Sequence, residues 1–134
     1  MTRTTIALLA AAALALSPTL ALADPARVSP DILHLTAIAA ALEAQAASLA
    51  SGQPLACAAL PSKTSVAVGE PLALAWGSVG AVDPADDPSK SMWARNGVSE
   101  LLIKQPGTWV YSFTFYSPSG ATTTCGAKVI VSPV

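Results

Sequence analysis

Trp109-Val110-Tyr111-Ser112-Phe113-Thr114-Phe115 places an aromatic ring at every second position. Successive side chains of a β-strand point to opposite faces, so this alternation predicts a strand with one face on a core. Ser117-Pro118-Ser119-Gly120 follows it as a turn, and Cys125, Ala127, Val129 and Val131 alternate beyond. Upstream, Pro106-Gly107 punctuates the chain before the aromatic strand, and residues 98–104 form a further candidate strand. Leu72, Leu74 and Trp76 alternate with Ala73 and Ala75, and a short β-branched run covers residues 64–68, with Gly69 between them. Residues 82–90 carry three Asp and two Pro and read as a loop. Several short strands at this spacing, with no helix between them, predict an all-β antiparallel sandwich over residues 55–134.

Before residue 55 the period changes from 2 to 3.6. Residues 29–51 read as a helix: Ser29 caps it, Pro30 stands at the first helical position, Asp31 complements the N-terminal dipole, and Gly52 with Pro54 stops it. Leu35, Ile38, Leu42 and Leu49 recur at three, four and seven and make one apolar stripe beside alanines. Gln45 interrupts it. This stripe must be covered. The short connection 52–55 favours packing on the helix's own β-domain; pairing with another chain, as an oligomer or a docked partner, and a poorly ordered linker are the alternatives.

The first 23 residues have the form of a secretory signal peptide. Arg3 precedes an apolar run from Ile6 to Leu16, and Ala21-Leu22-Ala23 supplies small residues for cleavage before Asp24. The expected organisation is a signal peptide (1–23), an alanine-rich helical leader (24–54) and a β-domain (55–134). Export to the periplasm or exterior is an oxidising fate, in which Cys57 and Cys125 are expected to pair. Cleavage would leave 111 of 134 residues, with six Lys/Arg against eight Asp/Glu, a charge of −2. That balance offers no electrostatic footprint for nucleic acid and no polybasic patch for anionic lipid. The richest later stretch, residues 32–50, is interrupted by His34, Glu43, Gln45 and Ser48, so no membrane span is expected in the mature chain.

The elements also occur in an order that resembles the immunoglobulin-like domains of bacterial exported proteins. Cys57, Val68-Gly69-Glu70-Pro71, Leu72-Ala73-Leu74-Ala75-Trp76, Gly107-Thr108-Trp109-Val110-Tyr111, Pro118-Ser119-Gly120 and residues 125–131 carry the resemblance. It implies an immunoglobulin-like sandwich and says little of function, because such sandwiches serve many roles. The cysteines depart from the antibody pattern. A bond between them joins the first strand to the last.

No catalytic residue, metal site or cofactor is expected. The sole histidine, His34, lies on the helix, no Gly-x-Ser-x-Gly elbow exists, and the chain has too few N and S ligands for zinc. Asp83, Asp86 and Asp87 could serve a weak calcium loop, but they lack the Gly and distal Glu of an EF-hand, and a solvated turn is the plainer reading. Trp93 and Tyr116 could stack on sugar rings, although Trp93 as a cover for the open end of the core is the plainer reading. These residues together predict a non-enzymatic exported module that binds or scaffolds an envelope or extracellular protein or glycan. A carbohydrate-recognition domain and a subunit assembling through its helix are the alternatives.

Overall fold

The computed structural model describes residues 27–89 and 92–133, so the expected signal peptide and its cleavage point lie outside the described residues. One helix, α1 (Pro30–Ser51), precedes six strands: β1 (Ala56–Pro61), β2 (Ser65–Ala67), β3 (Pro71–Val79), β4 (Gly97–Leu102), β5 (Gly107–Tyr116) and β6 (Thr122–Ser132). They form two three-stranded sheets, β1-β3-β4 and β2-β6-β5. All pairings are antiparallel except β2 with β6. The expectation of a wholly antiparallel arrangement is therefore corrected. At residues 62–64 the chain leaves the first sheet for the second without a hairpin, and β2 comes to lie parallel to β6.

The two sheets face each other across the core. Leu74 and Ala59 of the first sheet meet Phe113, Phe115 and Ala127 of the second. At the other end Leu72 meets Val66, Val129 and Val131, with Ile103 from the segment after β4. The aromatic alternation of β5 thus does what its period dictates: Phe113 and Phe115 are buried, and their odd-numbered neighbour Tyr111 packs against both clusters. Trp76 stacks on Phe113 at 5.1 Å between ring centroids. Gly97, opposite Trp76 in the β3–β4 ladder, leaves room for that ring, since a Cβ there would lie 2.3 Å from Trp76 Cζ2.

The Cys57–Cys125 disulfide joins β1 to β6, and therefore one sheet to the other, with 5.8 Å between the Cα atoms. It encloses 68 residues of sequence separation and ties the first strand to the last. β1 carries no periodic signal of its own, because Ala56-Cys57-Ala58-Ala59-Leu60-Pro61 lacks β-branched and aromatic residues. Its pairing with the well-marked β3 makes it a strand.

Candidate interaction surface

α1 begins and ends as its residues require. Ser29 is extended (φ −63°, ψ 148°) and its hydroxyl accepts from Ile32 N–H at 3.3 Å. Gly52 takes the left-handed conformation at φ 69° and donates to Ser48 O at 2.9 Å. Val28, just before the cap, is buried and donates to Glu100 Oε2 at 3.2 Å, which fastens the helix start to β4.

The helix lies on the outer face of the first sheet, against β1 and β3. Its buried residues are Thr36, Ala40 and Ala44, spaced i, i+4, i+8. The sheet face beneath is equally small: Ala73, Ala75 and Gly77 on β3 alternate with the core-facing Leu72, Leu74 and Trp76, and Ala58 stands beside Gly77 on β1. Small residues on both sides allow the backbones to approach. A Cβ built on Gly77 would fall 2.7 Å from Ala40 O and 2.8 Å from Ala41 Cα. The one polar group in this seam, Thr36, is satisfied, donating from Oγ1 to Ile32 O at 2.5 Å.

This orientation corrects the expectation that the large apolar stripe is covered by the β-domain. The helix does pack on its own sheet, but through its alanines. Leu35, Ile38, Leu42 and Leu49 point away, with 62, 43, 59 and 85 % of their surface exposed. Ile32, at 43 %, extends the stripe toward the N-terminus. The physical reason is fit. An Ala/Gly sheet face admits a helix only at a distance that Leu side chains would prevent, and close packing of small groups replaces the burial of large ones. A run of such residues leaves about three aliphatic side chains' worth of surface in water, at roughly 1.5–3 kcal/mol each. Asp31 and Glu43 are the acidic residues of α1, and it holds no Lys or Arg. By length and composition it is also apolar enough to cross a bilayer, with a mean hydropathy of 1.4 over 18 residues, despite the polar interruptions noted in the sequence.

The remaining predicted residues fall elsewhere. Trp93 is half-buried and sets its ring edge-on to Trp76 at 5.6 Å and to Phe113 at 5.0 Å. It is thus built into the end of the core. Tyr116 closes β5, and its carbonyl accepts from Val82 N–H at 2.8 Å. Asp83, Asp86 and Asp87 stay together on one turn but are spoken for. Asp83 Oδ1 accepts from Ala85 N–H at 2.9 Å, Arg95 reaches Asp86 at 3.2 Å and Asp83 at 3.9 Å, and Asp87 accepts from the Ser89 hydroxyl at 2.6 Å. No group of three or more His, Cys, Asp or Glu with metal-site geometry occurs among the described residues. His34 is exposed on α1.

Glu70 sits below the ordinary glutamate value because Lys63 Nζ holds its Oε2 at 2.6 Å and Ala67 N–H donates to its Oε1 at 3.0 Å. The pair borders a cleft of about 650 Å³ that also takes in Ile32, Leu35 and Pro71 at the N-terminal end of the helix. The apolar floor of that cleft runs directly into the exposed stripe. Sequence reasoning named the stripe but missed its counterpart, the i, i+4, i+8 series Thr36-Ala40-Ala44 and the matching Ala73-x-Ala75-x-Gly77. Two small-residue series at complementary periods are the signal that points to this seam. No known protein family, characterised protein or solved structure matches the chain.

Proposed function

We propose that the protein is an exported, non-enzymatic module with an immunoglobulin-like sandwich that docks a protein of the cell envelope or exterior along the outward face of α1. The observation that carries this reading is the stripe Leu35, Ile38, Leu42 and Leu49, held outward on a helix whose other side is already fixed to the domain. Anchors at such spacing suit a helix seated in an apolar groove. A protein partner is favoured over a lipid surface because α1 lacks the Lys and Arg that flank membrane-surface helices. The disulfide supports an oxidising, exported location, periplasmic or secreted. The sheet orders support the immunoglobulin-like assignment. Such domains carry strands A, B and E in that order on one sheet and F beside G on the other. β1-β3-β4 and β5-β6 follow the same order. Trp93 packed on Trp76 and Phe113 weighs against a sugar-stacking surface at that residue.

The test is a photo-crosslinking amino acid at position 42 of the protein in its own cells. A discrete protein adduct is expected, and Leu35→Ser with Leu49→Ser should abolish it. Adducts with lipid alone, or none, would overturn the reading.

A further inference from the structure

A second surface, on the opposite sheet, is built to pair with a backbone. β5 is ten residues long and stands at the edge of its sheet, paired among the described residues with β6 alone. Its hydrogen-bonding parity is fixed at both ends. Ser117 N–H donates to Ala121 O beside the turn, and Ile130, opposite Thr108, donates to Thr64 O on the far side of β6. The odd-numbered residues of β5 therefore bond β6. Thr108, Val110, Ser112, Thr114 and Tyr116 turn N–H and C=O to the free edge. Val82 N–H takes the Tyr116 carbonyl, which bounds the open stretch at residues 108–114.

Edge strands in monomeric proteins are ordinarily guarded by charge, proline, a bulge or shortness. β5 shows none of these: Gly107-Thr108-Trp109-Val110-Tyr111-Ser112-Phe113-Thr114-Phe115-Tyr116 is uncharged, free of proline and in unbroken register with β6 over all ten residues. Beside it the gap between the sheets opens as a cleft of about 380 Å³ lined by Leu102, Ile103, Trp109 and Tyr111, together with Lys104 and Gln105. The edge thus offers backbone groups and apolar surface together.

We infer that two copies of the protein pair through β5, antiparallel about a two-fold axis at Tyr111. In that register Thr108 faces the partner's Thr114 and Val110 faces the partner's Ser112. Each of the four outward residues of either copy then exchanges both of its backbone hydrogen bonds. Charge permits it, because no ionisable side chain of one β5 meets a like charge on the other. Lys128, next to Val110 on β6, is three strand spacings from its symmetry mate, about 14 Å and beyond the Debye length. Backbone pairing selects this surface over the helix for self-association. The open stretch 108–114 spans about 24 Å and its outward residues exchange backbone hydrogen bonds with the second copy, which the outward side-chain face of α1 cannot do. At about 15 Å deep the stretch buries roughly 700 Å² in a pair, the size of a weak, reversible dimer. The resulting six-stranded sheet leaves both helices outward, so the dimer presents two copies of the docking face.

The experiment is sedimentation velocity on the mature protein across micromolar concentrations, with amide exchange at β5. Ser112→Pro removes an outward N–H and no bond to β6, so the fold should tolerate it. Ser112→Lys adds a guarding charge on the solvent face and serves as the second variant. A concentration-dependent dimer is expected, with slow exchange at Val110, Ser112 and Thr114 that is lost on dilution. Each Ser112 variant should weaken dimerisation roughly tenfold or more. The variant Leu35→Ser/Leu42→Ser/Leu49→Ser should dimerise normally, even though it lacks the docking face. A monomeric protein at the highest concentration would overturn the inference. So would a dimer broken by the helix substitutions and untouched by both Ser112 variants, a result that would leave the helix-docking reading standing.

Discussion

Gly77→Ala inserts one methyl group into the seam between α1 and β3. The new Cβ would lie 2.7 Å from Ala40 O, 2.8 Å from Ala41 Cα and 2.9 Å from Ala40 C. All three are backbone atoms, so no rotamer change relieves the contact. Ordinary van der Waals separation demands that helix and sheet part by about 0.7–1 Å. That movement loosens the packing of Thr36, Ala40 and Ala44 along the whole seam. Overpacking of this kind costs about 1–3 kcal/mol, against which alanine in a strand regains about 0.5–1 kcal/mol of backbone entropy. A net loss of about 1–2 kcal/mol corresponds to a fall in Tm of roughly 4–16 °C for a domain of this size. The assays are thermal unfolding by circular dichroism and native-state amide exchange. Protection should fall in residues 36–44 while that of β5 and β6 holds. A Gly77→Ala protein that melts within a degree of the parent, with helix protection unchanged, would refute the packing assigned to α1.

Three further outcomes are expected. Replacing Cys57 and Cys125 together by Ser should cost about 4 kcal/mol in urea unfolding, from the chain entropy of the loop that the bridge closes, and a loss under about 1 kcal/mol would contradict it. Leu42→Ser, at a residue 59 % exposed, should leave stability within about 0.5 kcal/mol of the parent, whereas Leu74→Ser in the core should cost several-fold more. Glu70 titrates below the ordinary 4.5, so its contribution to the β2–β3 turn is complete above that value and is lost as pH falls through the lowered one; the Ala67 amide shift should move only there, and a midpoint above 4.5 would contradict the Lys63 and Ala67 contacts.

Much of the architecture was legible because local chemistry and tertiary packing agree. Ser29, Pro30 and Gly52 mark the helix ends, and the alternating rings of β5 mark the core strand. β1 was not marked by its own residues, since Ala56-Cys57-Ala58-Ala59 has no β propensity to display and is a strand through its ladder with β3. The rotation of α1 about its axis was misread for a related reason. A hydrophobic stripe is ordinarily taken inward by size, but the face that α1 meets is set by Ala73, Ala75 and Gly77, far along the chain. Only the pairing of two distant small-residue series shows that alanine, not leucine, fits there. Asp83, Asp86 and Asp87 lie on or beside a turn, whereas Arg95, which ties Asp83 and Asp86 into it, lies outside the run that defines them. The open edge of β5 has no sequence signature, because edge and central strands share the same alternation. It follows from the sheet order alone.

The docking face exists because α1 turns Thr36, Ala40 and Ala44 to the sheet and Leu35, Ile38, Leu42 and Leu49 outward. Methyl and Hα nuclear Overhauser contacts in the mature, disulfide-bonded protein test it directly. The account predicts cross-peaks from the Ala40 and Ala44 methyls to β3, with Ala40 close to Gly77 Hα, and none from the Leu35 or Leu42 methyls to either sheet. Cross-peaks from Leu35 or Leu42 to Ala75 or Gly77 would contradict it.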